Sequence, residues 1–203
     1  FERRRLARGT LAQRMPTIVG APFRPARKIA RKRRKPGRFQ AFQIRDEERR
    51  EMTALPLFHG TFTIKRSWTA TPERIFGAWS DPAVKAQWFR GPPEQWTEVR
   101  RSMDVRVGGL EVAEGRFDNG VTTLFEARYH VVEPNSRLIY VYDLHLSGAL
   151  HSVTLSSLDL QPDGDRTRVS YTEQIVFMDG KDGVEMRRSG TEWHFETIER
   201  LVQ

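Results

Sequence analysis

From His59 to Ala70 the chain alternates, with Phe62, Ile64 and Arg66 on one side and Thr61, Thr63 and Lys65 on the other. The β-branched and aromatic content of this stretch predicts a strand. At Thr71-Pro72-Glu73 the pattern changes. Thr71 is suited to cap a helix, Pro72 to occupy its first turn and Glu73 to face its positive end. Ile75, Phe76 and Trp79 then recur at helical spacing. Ser80-Asp81-Pro82 ends this helix and opens a second, short one with Val84, Trp88 and Phe89 turned inward, which Gly91-Pro92-Pro93 stops. From Trp96 the period returns to two, placing Val99, Arg101, Met103, Val105 and Val107 on one face. Gly108-Gly109 turns the chain.

Further strands follow over 110–117, 122–132, 137–146, 150–161 and 167–178. Their connections carry turn chemistry: Asp118-Asn119-Gly120, Glu133-Pro134-Asn135-Ser136, Ser147-Gly148-Ala149 and Pro162-Asp163-Gly164-Asp165. A last helix is predicted over 184–202, with Met186, Trp193, Ile198 and Leu201 marking its inward side and Phe195 and Val202 nearby. The order is strand, two short helices, six strands, long helix. Short connections imply an antiparallel meander, so the class is α+β. A sheet this long, apolar on one face, needs cover, and the C-terminal helix is the element long enough to supply it.

Charge divides the chain in two. Of 34 Lys/Arg and 26 Asp/Glu, residues 1–51 hold 17 and 5, a local charge of +12. The remainder, 17 basic against 21 acidic, is mildly acidic and lacks the basic signature of a nucleic-acid binder. The run from Arg24 to Pro36 is too basic and too poor in apolar residues to form a core, and is expected to be disordered alone. Three readings compete for it: a tail that binds nucleic acid or anionic lipid, an Arg-rich transit peptide, or sequence upstream of a natural start at Met52. The expectation is the last, with residues 52–203 as the domain; nucleic acid is a partner only if residues 1–51 are genuine. There is no cysteine, which excludes disulfides and thiolate metal sites and fits a reducing cytoplasm. No apolar run approaches the roughly 18–20 residues of a membrane span, so no membrane partner is expected.

Three stretches carry a family resemblance. They are Ala70-Thr71-Pro72-Glu73-Arg74-Ile75-Phe76-Gly77-Ala78-Trp79-Ser80-Asp81-Pro82 with Gln87-Trp88-Phe89, then Asp104-Val105-Arg106-Val107-Gly108-Gly109, and Glu133-Pro134 with Arg137-Leu138-Ile139-Tyr140-Val141-Tyr142 and the terminal helix. Over residues 60–203 the chain resembles the SRPBCC, or START/Bet v 1-like, superfamily, in the branch named after the activator of Hsp90 ATPase. The resemblance implies a helix-grip fold, a curved antiparallel sheet wrapped around a long C-terminal helix, with a cavity between them for a small hydrophobic molecule. It does not single out an activity, since the superfamily spans carriers, cyclases and hydroxylase subunits. The branch name also raises interaction with a chaperone or other protein, and a homodimer is a further candidate assembly.

Residues expected to line such a cavity are Trp79, Trp88, Met103, Phe117, Phe125, Tyr129, Tyr140, Tyr171, Trp193 and Phe195, with Glu173 or Arg101 at a polar end. The same aromatics would equally fill a closed core. Glu173 alternates with Val169, Tyr171, Ile175 and Phe177, which puts a carboxylate on the apolar side. Desolvation there would raise its pKa and suit it to acid–base work in a cyclase or hydrolase, or it would pair with Arg101. A second cluster lies on the hairpin after Tyr142. With a three-residue loop at Ser147–Ala149, His145 would oppose His151 with Asp143 on the same face, a geometry for zinc or iron or for an acid–base pair. A one-residue slip would undo it. No Gly-rich phosphate loop or Gly-x-Ser-x-Gly nucleophile motif occurs, and no cofactor is expected.

Overall fold

A computed structural model describes residues 55–203; the expectations for residues 1–51 and for Met52 lie outside the described residues. The elements are β1 (Phe58–Trp68), α1 (Pro72–Ser80), α2 (Pro82–Trp88), β2 (Trp96–Met103), β3 (Leu110–Phe117), β4 (Thr122–Glu133), β5 (Arg137–Leu146), β6 (Ala149–Asp163), β7 (Arg166–Phe177) and α3 (Val184–Val202).

Local chemistry explains the helical pair. The Thr71 hydroxyl accepts from the backbone N–H of Arg74, and Pro72 sits in the first turn. Asp81 serves twice: its N–H donates to Gly77 O to close α1, while its carboxylate accepts from the N–H of Ala83 and Val84 to open α2. The indole of Trp88 donates to Ala78 O at 2.8 Å and ties the two helices together.

The seven strands form one antiparallel sheet in the order β1-β7-β6-β5-β4-β3-β2. Six strands follow as a meander, and β1 returns to pair with β7 at the far edge. Bulges between Glu98 and Arg100, Tyr129 and Val131, and Leu144 and His145 add local twist to this curved, unclosed sheet. Its inner face carries Phe62 and Ile64, Phe125 and Tyr129, Leu138 and Tyr140, and Val169, Tyr171 and Ile175, all buried.

Helix α3 covers that face. Phe195 is its anchor, with its ring centroid 5.6 Å from those of Trp68 and Trp79 and 5.5 Å from that of Tyr171. Gly60 on β1 lets the start of α3 approach, because a Cβ there would collide with Val184 Cγ2. Two expectations need correction. The buried stripe of α3 is Thr191, Phe195, Ile198 and Val202, whereas Met186 and Trp193 are exposed. Ile198 is inward and Leu201 packs against the core as expected, but α3 carries apolar residues on more than one side, and hydrophobicity alone also counted Met186 and Trp193 as inward. On β2 the bulge at Val99 breaks the alternation, the strand stops at Met103, and both Val99 and Val107 face solvent.

Candidate functional site

Between the concave sheet and α3 lies a cavity of about 630 Å³. Eight of the ten aromatic and sulfur residues expected there do line it. Trp79, Trp88 and Phe117 stand on α1, α2 and β3, and Phe125, Tyr140 and Tyr171 on the sheet floor; Trp193 and Phe195 come from α3. Met103 and Tyr129 do not. Met103 packs against the core, and Tyr129 is fully buried with its hydroxyl on Glu111. Arg101 is not a lining residue either. Its guanidinium donates to Glu98 at 2.9 Å and to Phe89 O at 2.7 Å, which fixes the end of α2 rather than a ligand.

Glu173 does enter the cavity wall and is 3% exposed. Its partner is Arg187 on α3, not Arg101. Arg187 Nη1 stands 3.8 Å from Glu173 Oε2 and donates to the Tyr142 hydroxyl, while its Nη2 donates to Ser152 Oγ at 2.9 Å. Tyr142 and Tyr171 both donate to Glu173 Oε1, at 3.0 and 2.8 Å. Tyr171 has one proton and gives it to the carboxylate, so the Tyr140 hydroxyl 3.0 Å away donates to Tyr171 in turn. Both hydroxyls that reach the carboxylate use Oε1, and Oε2 is buried without a hydrogen-bond partner among the described residues. Burial raises the Glu173 pKa, and it outweighs the opposing pull of Arg187 and the tyrosines. Burial, with Glu173 as the next cause, pushes the hydroxyls of Tyr142 and Tyr171 well up, so both remain donors.

The hairpin cluster does not assemble. The bulge pairs His145 with Leu150 and Leu144 with Ser152, leaving His151 as the extra residue. Leu144 and Leu146 face the cavity, which turns Asp143 and His145 to the outer face by alternation. His151 lines the cavity and faces Asp179 at 3.3 Å, and burial lowers its pKa. Among the described residues no group of three His, Asp or Glu is arranged to hold a metal.

Three features escaped the sequence reading. Arg187 occupies the same stripe as Thr191 and Phe195, and a charge in a buried stripe is the signal that would have found it. A second buried ion pair joins Lys85 of α2 to Glu111 of β3 at 2.6 Å, with the Tyr129 hydroxyl on the same carboxylate oxygen. Burial lowers the Lys85 pKa, with Glu111 opposing. His194, beside the rings of Trp88 and Phe89, is pushed down to about 4 by burial, although Arg90 O accepts from its Nε2 at 3.3 Å.

A curved antiparallel sheet gripping a C-terminal helix over a lined cavity defines the helix-grip class, the SRPBCC architecture. The chain belongs to the family of activator of Hsp90 ATPase homolog 1-like proteins, whose model matches residues 69–203. Among solved structures it is similar to an uncharacterized protein from Rhizobium leguminosarum, with 32% identity, 72% of this chain and 96% of that one covered, and a TM-score of 0.68. It is also similar to the Mll3558 protein from Rhizobium loti, with 32% identity, 72% and 99% coverage, and a TM-score of 0.66. Protein CV1439 from Chromobacterium violaceum follows at 26% identity, 70% and 96% coverage, and a TM-score of 0.60. No curated protein matches the chain. Among the described residues, no helix is long and apolar enough to cross a membrane.

Proposed function

We propose that this protein binds a small, largely apolar molecule in the cavity between sheet and α3, within a reducing cytoplasm. The observation that carries the reading is the volume. Interiors pack to a density of about 0.75, which leaves few voids larger than a water molecule. Instead about 630 Å³ stays open, within the range of roughly 300–1,000 Å³ typical of small-molecule sites. Apolar rings supply contact area, while Glu173, Arg187 and Tyr142 at one end supply the few polar groups that would orient a ligand.

Native mass spectrometry of protein from its natural source tests this directly. A co-purified mass is expected, lost in an Ala113→Phe variant that fills the cavity from β3 while the fold persists. A wild type that carries no adduct and takes up no apolar compound would count against it. An acid–base enzyme is the second reading, favoured by one observation: a buried carboxyl with a raised pKa in the cavity wall. It requires turnover that Glu173→Gln abolishes without abolishing binding.

A further inference from the structure

Trp96 lines the same cavity as the polar cluster but comes from a different part of the sheet. Glu173 is on β7, while the indole of Trp96 reaches from β2 to Thr123 on β4, three strand intervals from β7, roughly 14 Å along the sheet. Trp96 is paired with Phe117, yet its indole crosses β3 over Gly115 and its N–H donates to Thr123 Oγ1 on β4 at 3.1 Å. Two glycines make this possible. A Cβ on Gly115 would overlap the indole at Cζ2, and one on Gly91 would stand 2.6 Å from its Cγ. The ring is therefore held in a slot, with the sheet on one side, the loop after α2 on the other, and its N–H pinned. A side chain clamped on three sides acts as a wall.

Building on the proposed binding reading, we propose that Trp96 is the end-stop of the cavity and sets the length of the ligand it accepts. The ligand class that fits is an elongated apolar molecule with one polar head. The head engages the Glu173–Arg187–Tyr142 end and the tail abuts the indole. Gly115 and Gly91 are the positioning residues that keep the indole out of the cavity.

Straight-chain primary alcohols from hexanol to tetradecanol, titrated calorimetrically into the full chain, provide the test. For the wild type, affinity should rise about four-fold per methylene and then stop rising at the length where the tail meets Trp96. In Trp96→Ala that break should move to longer alcohols. In Gly115→Ala, whose new methyl pushes the indole inward, it should move to shorter ones. Thermal melts establish that each variant is folded; if Gly115→Ala is not, Trp96→Ala and the milder Trp96→Phe decide between them. A break at the same chain length in folded Trp96 variants would overturn the end-stop while leaving the binding reading intact. No alcohol binding to wild type would overturn both.

Discussion

Glu173 receives two tyrosine hydroxyls on one oxygen, while the other, facing Arg187, has no hydrogen-bond partner among the described residues. Its folded-state pKa lies above the ordinary 4.5. The folded chain therefore holds this proton at pH values where the unfolded chain releases it. The resulting stability is fully present below pH 4.5 and is lost as pH rises through the folded value. In urea titrations, the wild type should lose stability relative to Glu173→Gln between acid and neutral pH. The other buried groups are common to both proteins and cancel in the difference. Parallel pH profiles would mean that Glu173 ionises as freely folded as unfolded. The residue was visible in the sequence because strand alternation put it among Val169, Tyr171 and Ile175. Its partner was not, because Arg187 lies on a helix whose position across the sheet no local pattern encodes.

Elements are joined here by buried polar links as well as by rings. Lys85 and Glu111 tie α2 to β3, and Tyr129 adds β4 on the same carboxylate oxygen. Both charges are shielded from water, so removing one leaves the other uncompensated. Lys85→Met should destabilise the domain by about 3–5 kcal/mol in chemical denaturation. The double variant Lys85→Met/Glu111→Leu should recover much of that loss. If the single variant were as stable as wild type, the pair would have no role in docking α2. The helix boundaries were legible to the residue, since Thr71, Pro72, Asp81 and Pro82 are local signals whose hydrogen bonds form within three positions. The facing of α3 was legible only in part. Ile198 and Leu201 face the core as read, but Met186 and Trp193 sit at the cavity rim with much of their surface exposed, so a count of apolar positions blurs the buried stripe.

At the level of the molecule, one sheet and one helix share a core at one end and stand apart around a cavity elsewhere. An open interior lacks contacts that a ligand can supply, so occupancy should raise stability by mass action. At a ligand concentration of 100 times Kd the gain is about 2.7 kcal/mol. For a domain of this size that corresponds to a rise in Tm of roughly 5–10 °C. A melting screen against apolar alcohols and acids checks it. The rise should be concentration-dependent and absent from Ala113→Phe. A filled variant that responds as the wild type does would locate the binding elsewhere.

Element order, the helix limits and most strand limits follow from the chain itself, because period, capping and turn chemistry act over a few residues. The three family stretches add the same answer from longer patterns. Tertiary structure decided everything that depends on two distant segments meeting. It chose Arg187 over Arg101 as the partner of Glu173, through the crossing of α3 over β7. It separated His145 from His151 by a single bulge, which no pattern of residue types announces. It also left the volume open, with Trp96 held in its wall by two glycines far from it in the chain's own logic of strands and turns. Whether aromatic side chains fill a core or line a cavity depends on how far apart the backbone holds them, and that distance is a property of the assembled sheet and helix.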